Sequence, residues 1–283
     1  MGLFGGNYDK PGKGIDKNEP KKKPFFLFFE IFFRKIWKMS QISMLYTLCC
    51  IPYFLLLFAF APVGQEYVEN LAGSPIASGA GATLYITLKS LLAMAVIVFW
   101  GAGPLTAGYT TVMRNYAREE HSFVMTDFFG KAKENFKQSM IVLVADILLL
   151  SLGMFAYVFY DAQYIATNSM VWLIAKYIIV FIFIVYTLMH QYVYQVMITF
   201  NVSVKELFVN SFMLAFAKLP MNILILLISA ALLFLMFTTY LNVFIALLLY
   251  IVILMSFNTF INIFYTTKTV DKIINSGSMN LNK

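Results

Sequence analysis

The sequence predicts an all-α integral membrane protein with six transmembrane helices and both termini in the cytoplasm. Three observations carry this. Of the 283 residues, 60% are hydrophobic and 12% charged, with a mean hydropathy of +0.76; a soluble domain carries about 25% charged residues. Six apolar stretches, at approximately 43–62, 84–113, 138–160, 171–200, 221–238 and 242–266, are each long enough to cross roughly 30 Å of hydrocarbon. The basic residues fall almost entirely on alternate connections.

Nine of the 21 basic residues precede residue 43, and five lie in 114–137. Lys205 and Lys218 occupy the next even-numbered connection, and Lys268, Lys272 and Lys283 follow the last stretch. The odd connections, 63–83, 161–170 and 239–241, carry none. Nineteen of 21 therefore share one side, which by the positive-inside rule is cytoplasmic. Lys89 and Lys176 are the exceptions, each five or six residues inside the outer end of its span, where a lysine snorkels to the interface.

Residues 1–24 read as a flexible basic tail without the apolar core of a signal peptide. Residues 25–270 read as a single membrane domain, and 271–283 as a short second tail. A comb of aromatic residues follows the first tail. Phe29, Phe33 and Trp37 are spaced four and four, with Arg34, Lys35 and Lys38 on the other faces. The spacing recurs at Phe128, Ala132 and Phe136, and again at Phe208, Phe212 and Phe216. Residues 128–143 align with 208–223 at an offset of 80, and 29–44 with 128–143 at an offset of 99. At i, i+4, i+8 each triplet forms one helical stripe. Such a helix lies in the inner interface with its rings in acyl chains, each ring worth roughly 1.5–3 kcal/mol and each nearby lysine about 1 kcal/mol against an anionic leaflet. The alternative is that the stripes pack on neighbouring spans. The resulting architecture is three units, each an interfacial helix plus a transmembrane hairpin.

Within span one, Cys49 and Cys50 read as packing residues, not as a disulfide or metal site. Span two contains WGAGPLTAGYTTVMRNY at 100–116, where Gly101, Gly103 and Pro104 break or kink the helix. Pro104 is placed to restart it at its first turn. A half-helix beginning at membrane depth aims its positive end at an anionic ligand; small residues also simply permit tight packing. Asp146 is the carboxylate deep in a span, and intramembrane acids are costly and often functional. Its tame reading is protonation, or a hydrogen bond to Thr106, Tyr109 or Thr110. His190 sits with Gln191, Tyr194, Gln195 and Thr199 in a polar patch. Counted from the start of its span it falls near the inner interface, which argues against a relay with Asp146. Asn258 and Asn262 form a comparable pair in span six.

No catalytic set is present: no G-x-S-x-G, no H-E-x-x-H, no Walker A and no Cys/His cluster. The expectation is therefore a non-enzyme with no cofactor, no metal and no nucleic-acid partner. Its partner is a bilayer with an anionic inner leaflet.

Residues 7–38, NYDKPGKGIDKNEPKKKPFFLFFEIFFRKIWK, resemble the N-terminus of the YesL-type membrane proteins of low-GC Gram-positive bacteria. Residues 103–143, GPLTAGYTTVMRNYAREEHSFVMTDFFGKAKENFKQSMIVL, resemble that family's central signature. Residues 63–100 intervene where shorter members run directly from span one into the signature. The resemblance implies a cytoplasmic-membrane protein of unknown biochemical activity, associated with sugar uptake beside ABC transporter permeases. It supplies no catalytic residues. The functional expectation is a protein that assists or regulates oligosaccharide uptake, with a sugar ABC permease or sensor as partner. One rival is a small-solute transporter or channel using Asp146 and the break at Gly101–Pro104. Another is a structural, lipid-organising membrane protein.

Overall fold

In the computed structural model, residues 23–60, 65, 69–70, 73–238 and 249–276 are described. Among them the regular structure is helical, as backbone groups in hydrocarbon require. The helices are α1 (Pro24–Phe60), α2 (Gly79–Phe99), α3 (Pro104–Ala117), α4 (Val124–Glu134), α5 (Phe136–Thr167), α6 (Met170–Thr199), α7 (Val204–Ala217), α8 (Leu219–Thr238) and α9 (Met255–Ser276). A π-helical turn, Tyr250–Leu254, leads into α9. Five helices are long and apolar enough to cross a membrane, and the pair Val204–Ala217 and Leu219–Leu235, bent by 94°, makes a sixth candidate. The chain is a multi-pass membrane protein.

Most of the expected spans recur with longer ends. The second is the broken one: it comprises α2 and α3. The stretches read as the basic tail (1–22), the beginning of span six (242–248) and the end of the second tail (277–283) lie outside the described residues. Helix α9 runs through Ser276, into the stretch read as a tail.

The three-unit architecture does not hold uniformly. Helix α1 is continuous over 37 residues, so the first aromatic stripe is no separate interfacial helix. Nothing between Trp37 and Met44 interrupts helical hydrogen bonding, whereas Pro52 is accommodated inside the span. Phe33 and Trp37 do face outward, at 65% and 76% exposed. Phe29 is partly buried, and the neighbouring stripe of Phe28 and Phe32 stacks on Phe257, Phe260 and Phe264 of α9. Lys35 lies against α3: its Nζ donates to the Tyr116 carbonyl at 3.4 Å and sits 5.1 Å from that ring's centre. Lys38 is exposed.

The second stripe splits. Phe128 is fully buried, as is most of Ala132, while Phe136 is exposed at the start of α5. Phe128 is a packing residue because α4 presses on α3 at Gly108. A Cβ placed there would lie 2.2 Å from the Phe128 carbonyl oxygen. The third stripe fits its expectation best. Phe212 and Phe216 are exposed on α7, which meets α8 nearly at a right angle; Phe208 is partly buried. Ser203 starts α7 with a capping box, its hydroxyl accepting from Glu206 N–H while the Glu206 carboxylate accepts from Ser203 N–H.

Helix α6 is the axle of the bundle. Leu188 through Ile198 are buried without interruption, so this half of the helix is covered on every side. Its other half exposes Ile174, Ile178 and Phe181 and pairs mainly with α5. The α5–α6 hairpin turns at Asn168, whose left-handed backbone (φ 50°) ends α5. Near that turn Lys176 pairs with Asp161 at 2.7 Å instead of snorkelling freely. Lys89 lies over the rings of Phe58 and Tyr85. At the opposite, basic end Arg34 pairs with Glu119, and Arg118 with Asp271, tying α1 and α9 to the end of α3. Cys49 and Cys50 are free thiols in the packing, as expected.

Candidate functional site

The break between α2 and α3 builds one wall of the site. Trp100 ends α2, Gly101 and Gly103 both take positive φ (89° and 60°), and Pro104 opens α3. Only glycine adopts these angles at little cost. A Cβ on Gly101 would meet Thr106 Oγ1 at 2.5 Å, so the glycine also lets Thr106 close the break. Thr106 Oγ1 accepts from Ala102 N–H at 2.6 Å and bonds Tyr46 OH of α1 at 2.8 Å. Trp100 Nε1 donates to Thr187 Oγ1 of α6 at 2.9 Å.

Asp146 does not bond Thr106, Tyr109 or Thr110. It faces α6, where its Oδ1 accepts from Tyr186 OH at 2.6 Å and from His190 Nε2–H at 2.8 Å. Neither the carboxylate nor the imidazole has any exposed side-chain surface. Asp146 and His190 therefore share one depth, contrary to the expectation from the span ends, and the reason is geometric. The register of a helical hairpin is set by its turn: Asp146 lies 22 residues before Asn168, and His190 22 residues after it. Both stand about 14–15 Å along the helix from its basic end, at 1.5 Å per residue. Asp146 Oδ2 and His190 Nδ1 have no hydrogen-bond partner among the described residues.

His190 carries this pair to the edge of a cavity of about 70 Å³ between α1, α2, α3, α6, α8 and α9. Thr106, Tyr109 and Thr110 line it from α3, Gln191 and Gln195 from α6, and Asn262 from α9. Both polar atoms of the Gln195 side chain, Gln191 Oε1 and Asn262 Oδ1 are buried without partners among the described residues. Buried amides are normally satisfied, so these four atoms point to water or a ligand in the chamber. One turn further toward the basic end, Arg114 Nη1 donates to Thr199 Oγ1 at 3.0 Å. Two hydrogen bonds onto α6, from Trp100 and from Arg114, thus bracket the chamber along that helix.

Residues 80–160 match the family model described as "Protein of unknown function, DUF624". The match runs from α2 into α5 and takes in the Gly101–Pro104 break, Thr106 and Asp146. It stops short of Tyr186 and His190. No curated protein matches the chain, and no solved structure does. The matched segment agrees with the resemblance drawn from residues 103–143.

Of the residues singled out in the sequence, the structure brings Gly101, Thr106 and His190 to one chamber, with Asp146 directly behind His190. Gly103 faces elsewhere, against Leu143 and Ser139 of α5. Asn258 and Asn262 join the chamber wall. Tyr186 was missed. Its signal was the spacing Tyr186–His190–Tyr194, one helical stripe that includes the histidine.

Proposed function

We propose that the protein is a membrane transport protein whose chamber takes a small, neutral, hydrogen-bonding solute. The observation that carries this reading is the set of unpartnered buried amide atoms around the cavity. The lining holds hydroxyls, amides and one imidazole but no lysine, arginine or carboxylate, which favours a neutral polar solute over an anion. Asp146 lies just outside that lining and holds the His190 imidazole in the α6 wall. Ligand pockets for drug-sized molecules occupy about 300–1,000 Å³. A chamber of about 70 Å³ therefore suits a few waters or a very small polyol, not an oligosaccharide. The distribution of basic residues supports a cytoplasmic-membrane orientation with both termini inside.

The test is flux in vesicles that contain only this protein, using small labelled polyols and water. Solute entry above empty vesicles, reduced in Gln195→Leu, supports the reading. Flux no greater than in empty vesicles for all solutes overturns it.

A second reading is a partner protein for oligosaccharide uptake, as the resemblance implies. Exposed Phe123, Met125 and Phe129 beside Lys133 give α4 an apolar and basic face suited to docking a permease. A tagged pull-down from native membranes tests it. Recovery of a sugar ABC permease in near-equal amount supports it, and recovery of the protein alone overturns it.

A further inference from the structure

A second cavity lies on the opposite side of α9 from any function proposed above. It is a groove of about 480 Å³ between the beginning of α1, the first half of α8 and the Phe257–Lys268 part of α9. Its walls are three apolar stripes at helical spacing. Helix α9 contributes Phe257, Ile261 and Phe264, followed one turn later by Lys268. Helix α8 contributes Met221, Leu224, Ile225 and Ile228. Phe25, Phe28 and Phe29 follow Lys23 on α1. The groove is thus apolar along its length and basic at one end. Lys268 is part-buried with its Nζ 3.9 Å from the centre of the Phe264 ring, and Lys23 is exposed. Among the described residues no carboxylate pairs with either lysine. Both lie at the end of the bundle where the basic residues collect.

We propose that this groove is a binding site for one anionic phospholipid, with an acyl chain along the three stripes and the phosphate between Lys23 and Lys268. The volume lies in the range of sites for drug-sized ligands and takes one acyl chain, with the headgroup and the second chain outside the groove. The charge pattern decides against other occupants. A neighbouring apolar helix, from a second copy for instance, fills the stripes but leaves two ammonium groups at the mouth without an anion. A zwitterionic lipid brings its own cation to the same place. An anionic lipid satisfies both halves: lysine is a point-charge partner for phosphate, and each basic residue near an anionic surface adds about 1 kcal/mol. The site is distinct from a general attraction of basic segments to the leaflet, because it holds a single molecule between three helices.

Native mass spectrometry on the full chain in mild detergent tests the proposal, with phosphatidylglycerol and phosphatidylcholine added in equal amounts. One phosphatidylglycerol is expected to stay bound in preference to phosphatidylcholine. Lys23→Gln and Lys268→Gln together should lower that preference, by about fivefold for each lysine. Leu224→Trp, at an exposed position in the groove, should displace the lipid by filling its chain site. Lys131→Gln with Lys133→Gln, outside the groove, should leave the retained lipid unchanged. Helix content by circular dichroism checks that each variant is folded. Equal retention of the two lipids overturns the proposal, as does a preference that survives the double substitution. A dimer mass that Leu224→Trp abolishes also overturns it, because the occupant is then a second copy.

Discussion

Replacing Asp146 by leucine removes the single oxygen that accepts from both Tyr186 OH and His190 Nε2–H. His190 is buried and Tyr186 part-buried, and each donor costs up to about 1–3 kcal/mol when left unpaired. The sum, about 2–6 kcal/mol, overlaps the 3–5 kcal/mol typical of breaking a buried ion pair by removing one partner. Asparagine is the informative contrast. It keeps Oδ1 in place for both donors and puts its amide where Oδ2 sits, an atom with no partner to lose. Asp146→Asn should therefore lose about half as much stability as Asp146→Leu or less. Thermal unfolding of the two variants in the same detergent micelle, followed by tryptophan fluorescence, measures the ordering. A leucine variant as stable as the parent refutes the pairing outright. An asparagine variant as unstable as leucine shows that charge, and not the shared acceptor, holds the site together.

Gly108→Ala places a methyl 2.2 Å from a backbone carbonyl of α4 that cannot swing away; it should cost at least the 1–3 kcal/mol of ordinary overpacking, read as a lowered unfolding midpoint. Thr106→Val keeps the shape but leaves Ala102 N–H and Tyr46 OH without their shared partner, an expected loss of about 2–4 kcal/mol in the same assay. The Glu206 carboxylate is held below the ordinary carboxylate range by the backbone N–H and hydroxyl of Ser203. Its contribution to capping α7 is therefore present above that range and fades as the pH falls through and below it. Glu206→Gln should flatten this part of the acid dependence of α7 unfolding, measured by hydrogen exchange at the start of α7.

Class and span positions were legible because they depend on composition and on runs of about 20 apolar residues, which tertiary packing does not override. The helix break was equally legible, since Gly101, Gly103 and Pro104 act on their own backbone. The aromatic stripes were harder. A period of four fixes which residues share a face but not what that face meets: Phe128 is buried, whereas Phe33 and Phe212 are exposed. The second face of α1, Phe28 and Phe32, carries the packing and is hard to tell from the first because both faces are rich in phenylalanine. The Asp146–His190 pair was readable in principle. A span end is a poor origin for depth because helices run past the bilayer, whereas the turn at Asn168 fixes the register of both arms.

That turn has a consequence for how the hairpin tolerates changes in length. An extra residue anywhere between Asp146 and Asn168 rotates the carboxylate about 100° away from His190, whereas the same insertion beyond Asn168 rotates the imidazole instead. A single added residue on either arm parts the pair. Adding a full seven residues to both arms keeps the two side chains facing and only moves the turn outward, by about 10 Å. Asn168 thus acts as the zero mark of a ruler folded on itself, and alignment deep in the bundle is decided by equal lengths measured from the opposite end.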